Sequence, residues 1–315
     1  MTYSIVARDP DTGIIGLGLQ SHFYGVGSIA TFAEAGVGGI CSQAFASRQY
    51  GPIGLDLLRA GGPAPDVLEA LRRLDPHHAV RQVGLVDGEG RAAAFTGDRC
   101  APHAGHCVGD GVTAQGNMLA AEVWEAMVAA YEKAAGTAGF DMADRIVAAL
   151  EVAEDLGGDA RGRQSVHLLV VGGQRTAAPW NSVLYDERVD DHPDPLGELR
   201  RLVTLRRAFS LVGAVLFDDG PLFQPLDRID TGRVEELLAG LEQAETMTGD
   251  NREPSLWRGV LLARTGRVAE AAAVLVPVLA ARPPVAGFLS GLEAIDVLPS
   301  GVAAQLVGSA VGEGR

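Results

Sequence analysis

Residues able to do chemistry crowd the start of the chain. Thr2 follows Met1 directly, and a side chain this small permits Met1 removal, so the mature chain is expected to carry a hydroxyl and a free α-amine on one residue. An α-amine has an ordinary pKa of about 7.7–8.0, so a useful fraction is unprotonated at neutral pH and can act as general base for its own hydroxyl. Tyr3 to Arg8 reads as a strand, which places Thr2 and Ser4 on one face. Ser21 and His22 end the next strand, and hairpin pairing brings them to the start of the first, where one of them can contact Thr2 or form a strand-end polar pair. Gln43 and Asn117 follow small or apolar strand residues; their amides suit an oxyanion or a substrate carboxylate, and equally the satisfaction of turn backbone.

Three further groups compete for a role. Asp159, Arg161, Gln164 and Ser165 form a polar loop before an apolar strand, where an Asp–Arg pair is the structural default and a substrate-anchoring arginine the sharper reading. Asp190, Asp191 and His192 could bind a cation, orient a base, or cap the helix that starts after Pro195. Cys100, His103, His106 and Cys107 are zinc-competent ligand types, but their spacing is not that of two zinc knuckles, so no metal site and no cofactor are expected. Lys133 is the single lysine among 26 basic residues and lies in an amphipathic helix beside Glu132, where a solvated role is expected.

The elements that must position these residues are legible in outline. Tyr3 to Arg8 and Ile14 to Gln20 flank the turn residues Asp9-Pro10-Asp11-Thr12-Gly13 and predict a hairpin. Ile40 to Phe45 reads as a strand, Gly54 to Leu74 as two helices split at Gly61-Gly62-Pro63, and Arg81 to Val86 with Arg91 to Phe95 as a second hairpin. Val112 to Gln115 predicts a short strand, Leu119 to Ala135 and Asp141 to Leu156 long amphipathic helices, Ser165 to Val171 an apolar strand, and Glu198 to Phe209 a further helix. This order predicts a layered α+β domain over 1–225. From 226 to 315 the pattern is helical only, with Gly232 to Thr246, Pro254 to Thr265 and Val268 to Ala281 as helices of a small accessory domain of tetratricopeptide-like type.

Composition bounds the partners. With 315 residues, 47% of them hydrophobic, the chain can bury a sizeable core. A net charge of −14 repels a phosphate backbone, so nucleic acid is not an expected partner. Three cysteines do not make a secreted disulfide framework, no apolar run is long enough for a membrane span and no signal peptide is evident, so a cytoplasmic protein is expected.

Motifs in order along the first 210 or so residues carry a more specific message. Thr2-Tyr3-Ser4-Ile5-Val6-Ala7-Arg8-Asp9, Gln20-Ser21-His22-Phe23, Ala35-Gly36-Val37-Gly38, Ser42-Gln43 and Tyr50-Gly51-Pro52 are followed by Arg81-Gln82-Val83, Thr96-Gly97 and Ala104-Gly105-His106. Gln115-Gly116-Asn117-Met118, Gly157-Gly158-Asp159, Arg161-Gly162-Arg163-Gln164-Ser165 and Arg188-Val189-Asp190-Asp191-His192 complete the set. Together they resemble the DUF1028 family, although Phe95 stands where related sequences often have His before Thr-Gly. Family members are assigned to the N-terminal-nucleophile (Ntn) hydrolase superfamily, which implies a four-layer αββα fold and an amide hydrolase with the Thr2 hydroxyl as nucleophile and its own α-amine as base.

Three hypotheses follow. The first is an Ntn-type amidohydrolase acting on a small amide or acyl-amino substrate, with Thr2, Ser21, His22 and Asn117 in the catalytic group and Ser4, Gln43, Asp159, Arg161, Gln164, Asp190, Asp191 and His192 around the substrate. The second is a non-catalytic small-molecule-binding protein on the same fold. The third is a metal-dependent hydrolase using the Cys/His cluster or Asp190, Asp191 and His192. A homodimer is the expected assembly.

Overall fold

The computed structural model describes residues 2–217, 220–225, 228 and 230–312. Two units divide it, Met1–Val203 and Thr204–Arg315. The division falls within a long helix, Pro195–Leu216. The expected boundary at 225/226 touches residues 226 and 227, which lie outside the described set.

In the first unit, β1 (Thr2–Arg8) and β2 (Ile15–Ser21) form the predicted hairpin, with Thr2 opposite Ser21 and Arg8 opposite Ile15. A four-residue turn, α1 (Gly27–Ala30), leads into β3 (Thr31–Glu34) and β4 (Gly38–Ala44). The helices α2 (Tyr50–Arg59) and α3 (Ala64–Leu74) precede β5 (Arg81–Asp87), β6 (Ala92–Thr96), β7 (Gly105–Gly109) and β8 (Val112–Asn117). Then come α4 (Trp124–Ala135), α5 (Met142–Asp155), β9 (Ser165–Val171) and β10 (Val183–Val189), and the first unit ends within α6 (Pro195–Leu216). One antiparallel sheet has the order β10-β9-β2-β1-β8-β7 and the other β3-β4-β5-β6. Strand β1 is thus an interior strand, hydrogen-bonded on both sides.

Side-chain alternation on β1 sets the layers. Tyr3, Ile5 and Ala7 join the core formed with α4 and α5, including Met127, Ile146 and Leu150. The intervening residue Val6 packs with Cys41 of β4 and Val86 of β5, in the space between the sheets. Helices α2 and α3 cover the other face of the second sheet through Leu58, Val67 and Leu71. The result is the four-layer αββα sandwich, with the inter-sheet space as its middle. Helix α5 is fixed at its start by a capping box, in which the Asp141 carboxylate accepts from the N–H groups of Ala143 and Asp144 at 2.8 and 3.2 Å while Asp144 accepts from the Asp141 N–H.

The second unit holds the three expected helices as α7 (Thr231–Met247), α8 (Glu253–Arg264) and α9 (Val268–Ala281), followed by α10 (Val285–Ala294) and α11 (Val302–Gly312). Its own apolar core runs from Val212 to Leu306. The buried Arg264 guanidinium donates to the backbone carbonyls of Pro221, Gln224, Asp296 and Val297, tying segments that have no ladder between them. Among the described residues no helix is long and apolar enough to cross a membrane.

Candidate active site

Thr2 begins an interior strand with Ser21 on one side and Asn117 on the other, so three polar side chains stand in a row at one end of the larger sheet. All three are buried, Thr2 at 7% exposure and the other two at 1%. Thr2 Oγ1 donates to Ser21 Oγ at 3.0 Å. The Thr2 carbonyl accepts from Gln43 Nε2 at 3.3 Å and from Asn117 Nδ2 at 3.5 Å, so an amide from each sheet holds the residue's backbone.

Behind this row lies an amide network that fills the inter-sheet space. Ser4 Oγ donates to Gln43 Oε1 and receives Gln115 Nε2, both at 2.6 Å. Gln82 Oε1 accepts from Gln43 Nε2 at 2.7 Å and from Asn117 Nδ2 at 3.0 Å, while its own Nε2 is spent on Thr96 Oγ1 and the carbonyls of Gly105 and Gly116. Asn117 Oδ1 is buried without a hydrogen-bond partner. Such a neutral, mutually hydrogen-bonded set fixes Thr2 without placing a charge next to it.

A cleft of about 380 Å³ opens in front of Thr2, walled by Ser21, Phe23, Val26, Ile29, Ala30, Gln43, Ala44, Phe45, Ala46, Arg81 and Arg161. Ala44 ends β4 with φ 64°, and Met118 follows Asn117 with φ 56°. Non-glycine residues in the left-handed region cost about 1 kcal/mol or more and persist where surrounding structure over-determines them. Here they turn the chain out of both strands immediately after the amides that hold Thr2.

The remaining sequence-derived candidates are distributed around this centre. Asp159, buried, accepts the His22 N–H at 2.9 Å and the Arg161 N–H at 2.9 Å, and pairs with the Arg161 guanidinium at 3.1 Å. This clamp holds the end of β2 and presents Arg161 on the cleft wall. The His22 ring instead meets the Arg163 carbonyl at 3.3 Å, and His22 is not among the wall residues. Strand alternation explains it: Ser21 points into the inter-sheet space, so the next side chain points away. Gln164 Nε2 donates to Asp191 Oδ1 at 3.2 Å, the Asp190 carbonyl accepts the Gly25 N–H, and His192 Nδ1 accepts the Asp194 N–H. Asp190, Asp191 and His192 brace loops and line no part of the cleft.

The Cys/His run is pulled apart by its neighbours. Cys100 Sγ donates to the Arg81 carbonyl at 3.3 Å, and His106 Nδ1 contacts Thr96 Oγ1 at 2.8 Å. Among the described residues no group of three or more His, Cys, Asp or Glu is placed to hold a metal ion.

Two polar features escape a reading of the sequence. Gln82 and Gln115 matter through the opposite sheet, and nothing local announces that. His167, fully buried inside the apolar run Ser165–Val171, has Nε2 2.8 Å from Asp186 Oδ1 and Nδ1 2.6 Å from Thr31 Oγ1. A lone histidine in an otherwise apolar strand was the available signal. Burial pushes its pKa down, so the ring is neutral near pH 7, and the ionised Asp186 fixes the Nε2–H tautomer. None of Thr31, His167 and Asp186 lines the cleft, so this is an inter-strand pin.

Comparison with known proteins matches residues 2–199 to the family model DUF1028, a family of unknown function. The chain belongs to this family. The DUF1028 match lies wholly within the first unit and contains Thr2, Ser21, Gln43, Asn117, Asp159 and Arg161. A crystal structure of a DUF1028 protein from Silicibacter pomeroyi is 30% identical, covers 64% of this chain and 87% of its own, and superposes with a TM-score of 0.55. A second solved structure, Thiobacillus denitrificans BPH in complex with epoxomicin, is 16% identical over 56% of this chain and 100% of its own, with a TM-score of 0.34. No curated protein matches the chain.

Proposed function

We propose that this DUF1028 protein is an Ntn-type amidohydrolase in which Thr2, freed of Met1, is the nucleophile. One observation carries the reading: the Thr2 hydroxyl opens on a cleft from the end of an interior strand, hydrogen-bonded to Ser21 and locked by an uncharged amide network. Met1 lies outside the described residues, so its removal is part of the proposal.

In the proposed reaction the α-amine of Thr2 takes the hydroxyl proton and Oγ1 bonds to the amide carbonyl carbon. A backbone N–H of the cleft wall stabilises the oxyanion, because the amide hydrogens of Gln43 and Asn117 are spent on the Thr2 carbonyl and Gln82 Oε1. The C–N bond breaks as the amine leaves with the proton. Water, deprotonated by the same α-amine, then hydrolyses the Thr2 ester, so amide and water yield carboxylic acid and amine. Ser21, 3.0 Å from Oγ1, keeps the hydroxyl oriented. The Cys/His run has no part in this scheme.

Hydrolysis of a panel of acyl p-nitroanilides tests it. The chain with Thr2 at its N-terminus releases nitroaniline, while Thr2→Ala and a chain with an uncleaved N-terminal extension do not. Equal turnover by the extended chain would overturn the proposal, because its Thr2 nitrogen is locked in a peptide bond and cannot be the base.

A further inference from the structure

The cleft in front of Thr2 has an arginine that the hydrolytic scheme does not use. Arg81 begins β5 opposite Ala44, the left-handed residue of the cleft wall. Its Nε donates to Asp75 Oδ2 at 2.8 Å and its Nη1 to the Phe45 carbonyl. The side chain is only 17% exposed. Two of three guanidinium nitrogens are spent on fixing the group, and Nη2 makes no hydrogen bond among the described residues.

Asp75, the ion-pair partner of Arg81, is not among the wall residues. It also accepts the Tyr50 hydroxyl at 3.0 Å and the His77 N–H at 2.8 Å, so its negative charge is shared among three donors. Arg161 is a second cation on the same wall, with its partner Asp159 fully buried. Among the described residues no aspartate or glutamate lines the cleft. The rest of the wall is largely apolar, and Phe23 and Phe45 expose 52% and 66% of their surface. An anion with an apolar attachment therefore meets two guanidinium groups, no carboxylate, and hydrocarbon to cover.

We propose that Arg81 anchors a carboxylate and that the cleft selects amides bearing both a carboxylate and an apolar group. A planar guanidinium already fixed at two nitrogens offers its remaining N–H groups at little entropic cost, the arrangement that makes arginine suited to carboxylate recognition. The inference rests on the placement of the reactive centre at Thr2, but the binding it asserts needs no turnover.

The test uses the full chain as Thr2→Ala, which cannot hydrolyse its ligand, and isothermal titration with two acid and amide pairs. Hexanoylglycine against hexanoylglycinamide places the carboxylate on the amine side of the amide bond; N-hexylsuccinamic acid against N-hexylsuccinamide places it on the acyl side. In at least one pair the acid binds about ten-fold more tightly than its neutral amide, the worth of one charge-assisted hydrogen bond. Adding Arg81→Gln brings the two ligands of that pair to within about two-fold, and Arg81→Lys, which keeps a charge against Asp75, retains part of the preference.

Equal affinity for acid and amide in both pairs, absence of binding by all four included, overturns the proposal; so does a preference that survives Arg81→Gln. The comparison on the unaltered cleft stands even if Arg81→Gln fails to fold. An acid preference without any hydrolysis by the native chain would count against the nucleophile and not against Arg81. Hydrolysis without acid preference would do the reverse.

Discussion

The Thr2 hydroxyl is held by a neutral partner, and this sets how its neighbours respond to change. Ser21→Ala removes one hydrogen bond worth about 1 kcal/mol and leaves the nucleophile in place, so nitroanilide turnover falls by about five- to ten-fold, against loss to background for Thr2→Ala. A drop to background in Ser21→Ala would make Ser21 a participant and not an orienting group. His167 makes a prediction about stability. Burial lowers its folded pKa below the ordinary value of about 6.5, so the unfolded chain takes up a proton first as pH falls. The contribution of the neutral ring is fully present above about pH 6.5 and is lost as pH falls through that value toward the folded pKa. The hydrogen bond from His167, and then Arg188, hold Asp186 at about 2, so its own contribution is lost only at more acidic pH. Melting temperature followed from pH 7.5 to 5 should therefore fall in the native chain and be flatter in His167→Gln, whose overall stability is lower because Thr31 and Asp186 lose a buried partner. Parallel curves would show that another group carries the pH dependence.

Element packing sets the helical layer directly against the hairpin that carries Thr2. Helix α5 rests directly on β2 because Gly18 has no side chain: a Cβ there would lie 2.3 Å from Ile146 Cγ2 and 3.0 Å from Leu150 Cδ1. Gly18→Val forces the helix away or distorts the hairpin, and urea denaturation should show a loss of about 2 kcal/mol or more. A change under about 0.5 kcal/mol would mean that the layer yields freely. Gly84 does the same for the amide network, since a Cβ would collide with the Gln115 side chain that supports Ser4. The elements near the site were legible where their determinants are local. The β1–β2 hairpin follows from alternation and turn residues and differs from expectation by one residue at its ends, and strand β9 spans the expected Ser165–Val171. Strands β3, β7 and β10 escaped because their part-exposed, mixed sequences take an extended form only against the neighbour they pair with. The Thr2–Ser21 contact was readable for the same local reason. Gln82 and Gln115 were not, because their partners lie on other strands far away in sequence, and of the two candidates for contact with Thr2, side-chain alternation selects Ser21 and turns His22 away.

At the scale of the whole molecule, each unit has apolar packing of its own, and the residues that match DUF1028 stop inside the first. The helices from Thr231 onward belong to a unit with its own apolar core, and the residues that line the cleft at Thr2 all lie in the first unit. The chain is acidic, with a net charge of −14, yet among the described residues the cleft wall presents Arg81 and Arg161 and no carboxylate. Whether Thr2 is the nucleophile reduces to one covalent fact about the intact chain. Intact-protein mass spectrometry before and after exposure to a β-lactone measures it without knowledge of the substrate. The account predicts a mass lacking Met1 and a single acyl adduct that maps to Thr2, forms faster as pH rises toward about 8, and is absent in Thr2→Ala. Quantitative retention of Met1, or an adduct that persists in Thr2→Ala, would contradict it.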